Sequence, residues 1–264
     1  MTKPTGTVGP RDTGHFSLAG ALNFRDLGGL PTENGGATRR RRLFRSDTLQ
    51  ETTEDDIVRL QQDLGLMFVV DLRGAEESVE EGRGGLAQVP LCHINVPLRD
   101  FSSLVDPEAP DVVTAPTDPD AEAAGGPLMP HYVHNLEADQ NLVIAVELIA
   151  NALAYGPTVV HCAFGKDRTG IVVALILRMV GVTEEAVISD YMASAENVDR
   201  FIERARRIPR YAPFADLDVW RCDERMITFF LREVTQRYGS ATEWALYRGI
   251  PEQSIDRLRA ALLA

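Results

Sequence analysis

The stretch "VVHCAFGKDRTG", Val159–Gly170, sets a cysteine at the end of a short apolar run and an arginine beyond five intervening residues, with a glycine between them. Upstream, "GPTVVHC" reads as a strand opened by Gly156 and Pro157. Downstream, "RTGIVVALILRMV" is apolar on nearly every face, the pattern of a helix buried against a sheet. "AFGKD" is then the strand-to-helix loop. In open α/β sheets ligands bind at the carboxyl ends of strands. Backbone N–H groups of such a loop, joined by the unpaired N–H groups of a helix start, converge on one point. Gly165 supplies the backbone freedom that this wrap requires. The predicted product is a cradle for a small tetrahedral anion, built from Ala163, Phe164, Gly165, Lys166, Asp167, Arg168 and Thr169.

The same field acts on Cys162. A helix start and nearby cations favour the thiolate, which is the nucleophilic form of cysteine. Arg168 offers two parallel N–H bonds to a pair of phosphate oxygens, a geometry that lysine lacks. Thr169 is placed to donate its hydroxyl to the sulfur. His161 is better suited to fixing the loop than to acting as a base. Lys166 is either an extra cation for a second phosphate or a solvent-facing lysine that tunes the field. Breaking an ester also needs a proton for the leaving oxygen. Three carboxyls are candidates, in this order: Asp71 at the end of the strand-like "LMFVVDLR", Asp167 inside the loop, and Asp100 closing "VPLRD". Asp167 has a structural reading too, since a carboxylate is favourable at a helix start.

Working outward, "TTEDDIVRLQQDLGL" predicts a helix capped by threonine, with Ile57, Leu60 and Leu64 on one face and Gly65 at its end. "CHINVPL" (Cys92–Leu98) predicts a short strand, and "ADQNLVIAVELIANALA" an amphipathic helix. Alternating strands and helices argue for an α/β fold with a mostly parallel central sheet flanked by helices, and the chain turns helical from Thr183 onward. Residues 1–15 are expected to be a loose lead-in and residues 16–264 a single domain. Residues 101–130, rich in proline and acid, are expected to be a mobile surface loop.

Bulk composition excludes several classes. A formal net charge of -12 over 264 residues argues against a broad nucleic-acid face. The basic run Arg39–Arg42 with Arg45 is either a solvated turn or a local anion site. Three cysteines cannot all pair within the chain and match no zinc spacing, so a reduced, cytoplasmic setting is expected, with no metal or cofactor. The remaining histidines are scattered. No apolar stretch is long enough to span a bilayer, and no signal core opens the chain.

"HCAFGKDRTG" matches the His-Cys-x-x-Gly-x-x-Arg-Thr loop of protein-tyrosine phosphatases. The chain most resembles the bacterial atypical cysteine-dependent protein-tyrosine/lipid phosphatases. In that family "NFRDLGG", "LFRSDTL", "VVDLRGAEE", "GKDRTGIVVAL" and "ISDYMAS" recur in this order, and "RYGSATEWALYRGI" resembles its ending. The resemblance runs from about Asn23 to the end, broken at the acidic loop and at residues 198–225. It implies a protein-tyrosine-phosphatase-like fold, a cysteinyl-phosphate intermediate on Cys162, and phosphate held by Arg168 and the loop amides. It also implies importance for Asp71, and substrates among phosphotyrosine, phosphoserine/threonine and phosphoinositides. Such relatives are in some cases exported without a recognisable signal. Residues 198–220 fall where the family carries a helical lid, with Phe201, Tyr211, Phe214 and Trp220 as its apolar underside and its arginines facing solvent or phosphate; an ordinary helix pair is the alternative. Arg25, Arg45 and Arg73 are expected to add charge around the mouth, or to form ordinary pairs. A phosphate-binding module and a sulfurtransferase or arsenate reductase share the bare Cys–Arg loop and stay open as rivals.

Overall fold

In the computed structural model, β5 (Thr158–His161) is buried along its whole length and ends one residue before Cys162. The residues described are 16–98, 129–216 and 220–263. The N-terminal lead-in, Asp100 and nearly all of the acidic stretch 101–130 lie outside them, as do residues 217–219. The last two positions of that stretch, 129 and 130, open a helix.

Strand β5 occupies the centre of a five-stranded sheet of order β1-β2-β5-β3-β4. Its parallel neighbours are β2 (Leu43–Ser46) and β3 (Phe68–Asp71), and β4 (Cys92–Asn95) extends the parallel run beyond β3. The short β1 (Arg25–Asp26) closes the other edge and is antiparallel. The sheet is therefore mostly parallel, as the alternation of elements predicts. Period-two side-chain alternation splits the core between two faces. Val70 and Val160 are paired in register and look toward the larger helical layer. Val69, Val159 and Phe44 look the other way, toward Leu60 and Leu64.

Helix α1 (Glu54–Val58) starts on a Thr53–Asp56 capping box and runs into one wide turn, Arg59–Asp63. Gly65 then takes a φ of 60°, which ends the helix as expected. Helix α2 (Ala75–Glu81) follows β3. On the larger face stand α3 (Met129–Ala138), α4 (Gln140–Tyr155) and α5 (Asp167–Met179), the last being the apolar helix that follows the cysteine loop. Helices α6 (Glu184–Met192), α7 (Val198–Arg207), α8 (Glu224–Tyr238), α9 (Ala241–Tyr247) and α10 (Glu252–Leu262) complete the chain. Helix α10 packs on α4 and α5, and α8 on α3, α5 and α6.

One polar junction ties α6 to the sheet. Asp190 accepts from Arg25 Nε at 2.7 Å and from Arg45 Nη1 at 2.5 Å, with all three groups in the interior or close to it. Removing one member of a buried charge cluster leaves the others uncompensated, at a cost of about 3–5 kcal/mol. Asp190→Asn is therefore expected to lower the unfolding free energy by about that amount, read by urea denaturation followed through tryptophan fluorescence. A loss under about 1 kcal/mol would show that the two guanidinium groups find other partners.

Candidate active site

A loop that aims its N–H groups at one point must send its carbonyls outward, and a buried carbonyl needs a donor. Each successive carbonyl from Cys162 to Lys166 has one. Cys162 O lies 3.1 Å from His161 Nδ1. Ala163 O accepts from Thr48 N–H at 3.0 Å. Phe164 O accepts from Asn23 Nδ2 at 3.1 Å. Arg45 Nη2 donates to Gly165 O at 2.5 Å and to Lys166 O at 3.3 Å. Gly170 N–H closes the first turn of α5 on Lys166 O at 2.8 Å. Asn23 comes from "NFRDLGG", and Arg45 and Thr48 from "LFRSDTL". Residues of both motifs thus form the outer shell of the cysteine loop.

Inside the loop, Gly165 N–H donates to Cys162 Sγ at 3.2 Å. Gly165 holds a φ of 65°, and a Cβ there would fall 2.3 Å from Ser46 O and 2.5 Å from Asp47 N. Both contacts are with backbone, so no side chain can yield. Cys162 itself is only 3% exposed. Thr169 is fully buried but its hydroxyl makes no hydrogen bond, so the expected bond to the sulfur is not formed.

Arg168 is held by a residue that the sequence reading did not single out. Its Nη1 and Nη2 donate to Glu77 Oε2 and Oε1 at 2.7 and 2.9 Å, a two-bond fork within the protein. Glu77 lies on α2 and is itself buried. Burial alone would raise its carboxyl, but the Arg168 charge and the bonds from Arg168 and Tyr211 hold it low. The signal was present in "VVDLRGAEE", where acids follow a strand that ends beside the cradle. What no local pattern shows is which of them turns inward.

Asp71, ranked first as the proton donor, is placed against that role. It is fully buried and forked by Arg73, with Nη2 at 2.8 Å and Nε at 3.0 Å, and Ser78 Oγ donates to it at 2.9 Å. Burial alone would raise its carboxyl, but His161 and Arg73 outweigh this and keep it well below the usual carboxylate range. A carboxylate held in its charged form is a poor proton donor. Asp167, by contrast, opens α5 with its side chain 21% exposed, 3.5 Å from Lys166 Nζ and 3.3 Å from the Tyr191 hydroxyl. Lys166 is not solvent-facing: its Nζ donates to Arg221 O at 2.9 Å. Arg45 and Arg73 are interior residues bonded to carboxylates, and Arg25 pairs with Asp190, so none of the three lines the mouth as free charge.

The fold gathers histidines that look scattered in the sequence. His93 and His161 bring ring nitrogens to 3.6 and 3.7 Å from the Asp71 oxygens, and the three donors lie within 4.8 Å of one another. The Arg73 cation already occupies the same carboxylate, so an incoming metal ion would face a positive charge rather than an open ligand. These donors therefore fit a metal poorly, and their evident work is to brace the end of β3 against the loop.

Segment 198–216, with Trp220, covers the loop. The Phe164 ring meets Phe201, Tyr211 and Trp220 edge-on, at centroid distances of 5.6, 5.1 and 4.6 Å. The apolar underside is as expected, with Phe214 at its margin. The arginines divide: Arg206 stays outside with Asp216, whereas Arg204 is buried in an ion pair with Asp47.

Two outcomes follow. Gly165→Ala is expected to abolish turnover by displacing the loop backbone, with a stability loss of about 1–3 kcal/mol, checked by steady-state assay and urea unfolding. A folded, active variant would show that the loop tolerates a shift. Burial pushes His93 down to about 4 against the pull of Asp71, and pushes His161 down as well. Both imidazoles are neutral when folded and take up protons on unfolding, so stability is full above about pH 6.5 and falls as pH drops toward about 4. His93 alone should remove about 2 kcal/mol between about pH 7 and about pH 5, and His93→Gln should flatten that slope.

Comparison with known proteins gives the family. Residues 16–264 match the tyrosine phosphatase family. The triple specificity protein phosphatase PtpB of Mycobacterium tuberculosis is 28% identical over 281 residues, covering 93% of this chain and 98% of that protein. Among solved structures, TpbA of P. aeruginosa aligns with a TM-score of 0.35 and 20% identity over 69% of this chain and 84% of its own. The chain belongs to the tyrosine phosphatase family, and it is a phosphatase of the protein-tyrosine phosphatase type.

Proposed function

We propose that the chain hydrolyses phosphate monoesters by two successive displacements at Cys162. The thiolate attacks phosphorus in line, the S–P bond forms, and the ester P–O bond breaks. The leaving oxygen takes a proton from Asp167. Water then attacks phosphorus, the S–P bond breaks, a proton returns to Asp167, and inorganic phosphate departs. Arg168 and the loop amides balance charge on the equatorial oxygens. The observation that carries this reading is the tied loop: Cys162 Sγ receives Gly165 N–H at 3.2 Å while Glu77 holds Arg168 in a fork. Asp167 is favoured as the acid over Asp71 because it lies on the loop and is partly exposed.

Phosphotyrosine is the preferred substrate in this proposal, because a sulfur so deeply buried favours a slender aryl phosphate. The relative named a triple specificity phosphatase supports a wider range, including phosphoserine and phosphothreonine. A phosphoinositide substrate draws less support from the loop, since Lys166, one of whose two readings was as the cation for a second phosphate, is bonded to Arg221 O. We take residues 16–264 as one catalytic domain, the span of the family match. Three unpaired cysteines suit a reduced, cytoplasmic compartment. Among the described residues, no helix is long and apolar enough to cross a membrane.

Cys162→Ser is expected to eliminate turnover of para-nitrophenyl phosphate, and Arg168→Ala to lower kcat/KM by about 10²–10³. Turnover surviving Cys162→Ser would overturn the covalent route. Asp167→Asn separates the acids when kcat/KM is compared: that ratio ends at phosphoryl transfer to Cys162, so it should stay nearly unaffected for para-nitrophenyl phosphate, whose leaving group needs no proton. The substitution should slow a phosphotyrosine peptide by about 10²-fold. Equal losses on both substrates would remove Asp167 from the acid role.

A further inference from the structure

Tyr211 sits in the segment that covers the loop, yet its hydroxyl reaches across to α2. It donates to Glu77 Oε1 at 2.5 Å, and the same oxygen accepts from Arg168 Nη2 at 2.9 Å. The second oxygen, Oε2, accepts from Arg168 Nη1 at 2.7 Å and from Gly74 N–H at 2.9 Å. A carboxylate has about four lone-pair positions, and here all four are used. Its plane is therefore fixed, and with it the plane of the guanidinium that shares two of the bonds. Without the phenol, Oε1 would keep a single partner and the pair would gain freedom to swing.

The phenol is well suited to this duty. Burial, with Glu77 and Glu81 beside it, pushes its ionisation far above the ordinary tyrosine value, so it stays a donor wherever the protein is folded. Its ring is wedged against Phe164 at 5.1 Å and Trp220 at 6.4 Å. The preceding residue, Arg210, pairs at 2.7 Å with Glu80, three positions beyond Glu77 on the same helix. The covering segment is thus tied to α2 at adjacent points, one at the surface and one beside the phosphate-binding arginine.

We propose that Tyr211 is a positioning residue for phosphoryl transfer: by fixing Glu77 it holds Arg168 in the orientation that receives phosphate, so that seating of the covering segment arms the site as well as sheltering it. Tyr211 acts through Glu77 and touches no reacting atom. The inference rests on the phosphatase reading, with Arg168 as a phosphate ligand.

The test is Tyr211→Phe in the full chain, which keeps the ring and removes only the donor. Two quantities are read: kcat/KM on para-nitrophenyl phosphate, and affinity for inorganic phosphate by calorimetry. Both should fall about tenfold, the order carried by one hydrogen bond to a charged group. A purely structural role would lower the unfolding midpoint but leave phosphate affinity per folded molecule unchanged, and that result overturns the proposal. In a Glu77→Gln background the further loss from Tyr211→Phe should shrink below about twofold. An undiminished tenfold loss there would show a route independent of Glu77 and would equally overturn it. If Glu77→Gln does not fold, Arg168→Ala supplies the background, and there Tyr211→Phe should leave phosphate affinity unaltered. A wild-type chain that binds phosphate without turnover defeats the phosphatase reading alone, and the calorimetric comparison still decides Tyr211. A chain that neither binds nor turns over defeats both.

Discussion

The site depends on where the carbonyls of one loop go. A backbone curled so that its amides face a sulfur exposes the opposite edge of every peptide to the interior. Each carbonyl left there without a donor would cost about 1–3 kcal/mol. Five consecutive carbonyls in that condition would exceed the stability margin of an ordinary domain. Arg45, Asn23, Thr48 and His161 remove the penalty, and Arg45 alone serves two carbonyls. Arg45 is in turn a buried cation, tolerable because Asp190 neutralises it from α6. The loop is therefore held from outside by a shell that reaches through the sheet and into the helical layer.

Around this shell stand four buried arginine–carboxylate pairs among the described residues: Arg45 with Asp190, Arg73 with Asp71, Arg168 with Glu77, and Arg204 with Asp47. Buried pairs of this kind contribute little net stability, because desolvation offsets most of their attraction. Their value here is directional. Each pair fixes one element against another: α6 to the sheet, β3 to its own following turn, the loop to α2, and the covering segment to the end of β2; in Arg73 with Asp71 and Arg168 with Glu77 a two-bond fork also sets the plane of the guanidinium. Arg168 is one of the two that are forked, and it stands at the start of the helix that follows the cysteine loop.

Much of this was legible before any coordinates. The strand–loop–helix around Cys162, the cap at Thr53 and the stop at Gly65 all follow from short-range rules, and all appear. Asp71 shows where such rules stop. A carboxylate at the end of a strand beside the cradle looks like an acid, and only the fold brings His161 and Arg73 against it, which favour its charged form. Lys166 and Arg204 show the same limit: along the chain each reads as facing either solvent or phosphate, and only the fold supplies the partners Arg221 O and Asp47. His93 and His161 look unrelated along the chain, yet parallel neighbours β4, β3 and β5 set them on either side of Asp71.

By itself, the sequence determined the strand–loop–helix that carries Cys162, Gly165 and Arg168 and the parallel α/β frame, because each depends on contacts among residues close along the chain or on a periodicity visible within one element. Only the tertiary structure decided which carboxylate is locked and which stays available, that Glu77 holds Arg168, and that Tyr211 reaches the same carboxylate from a distant segment. Those outcomes depend on the burial and pairing of charges. A charge is worth little in water and a great deal in the interior, so its role is set by the partner that folding brings to it.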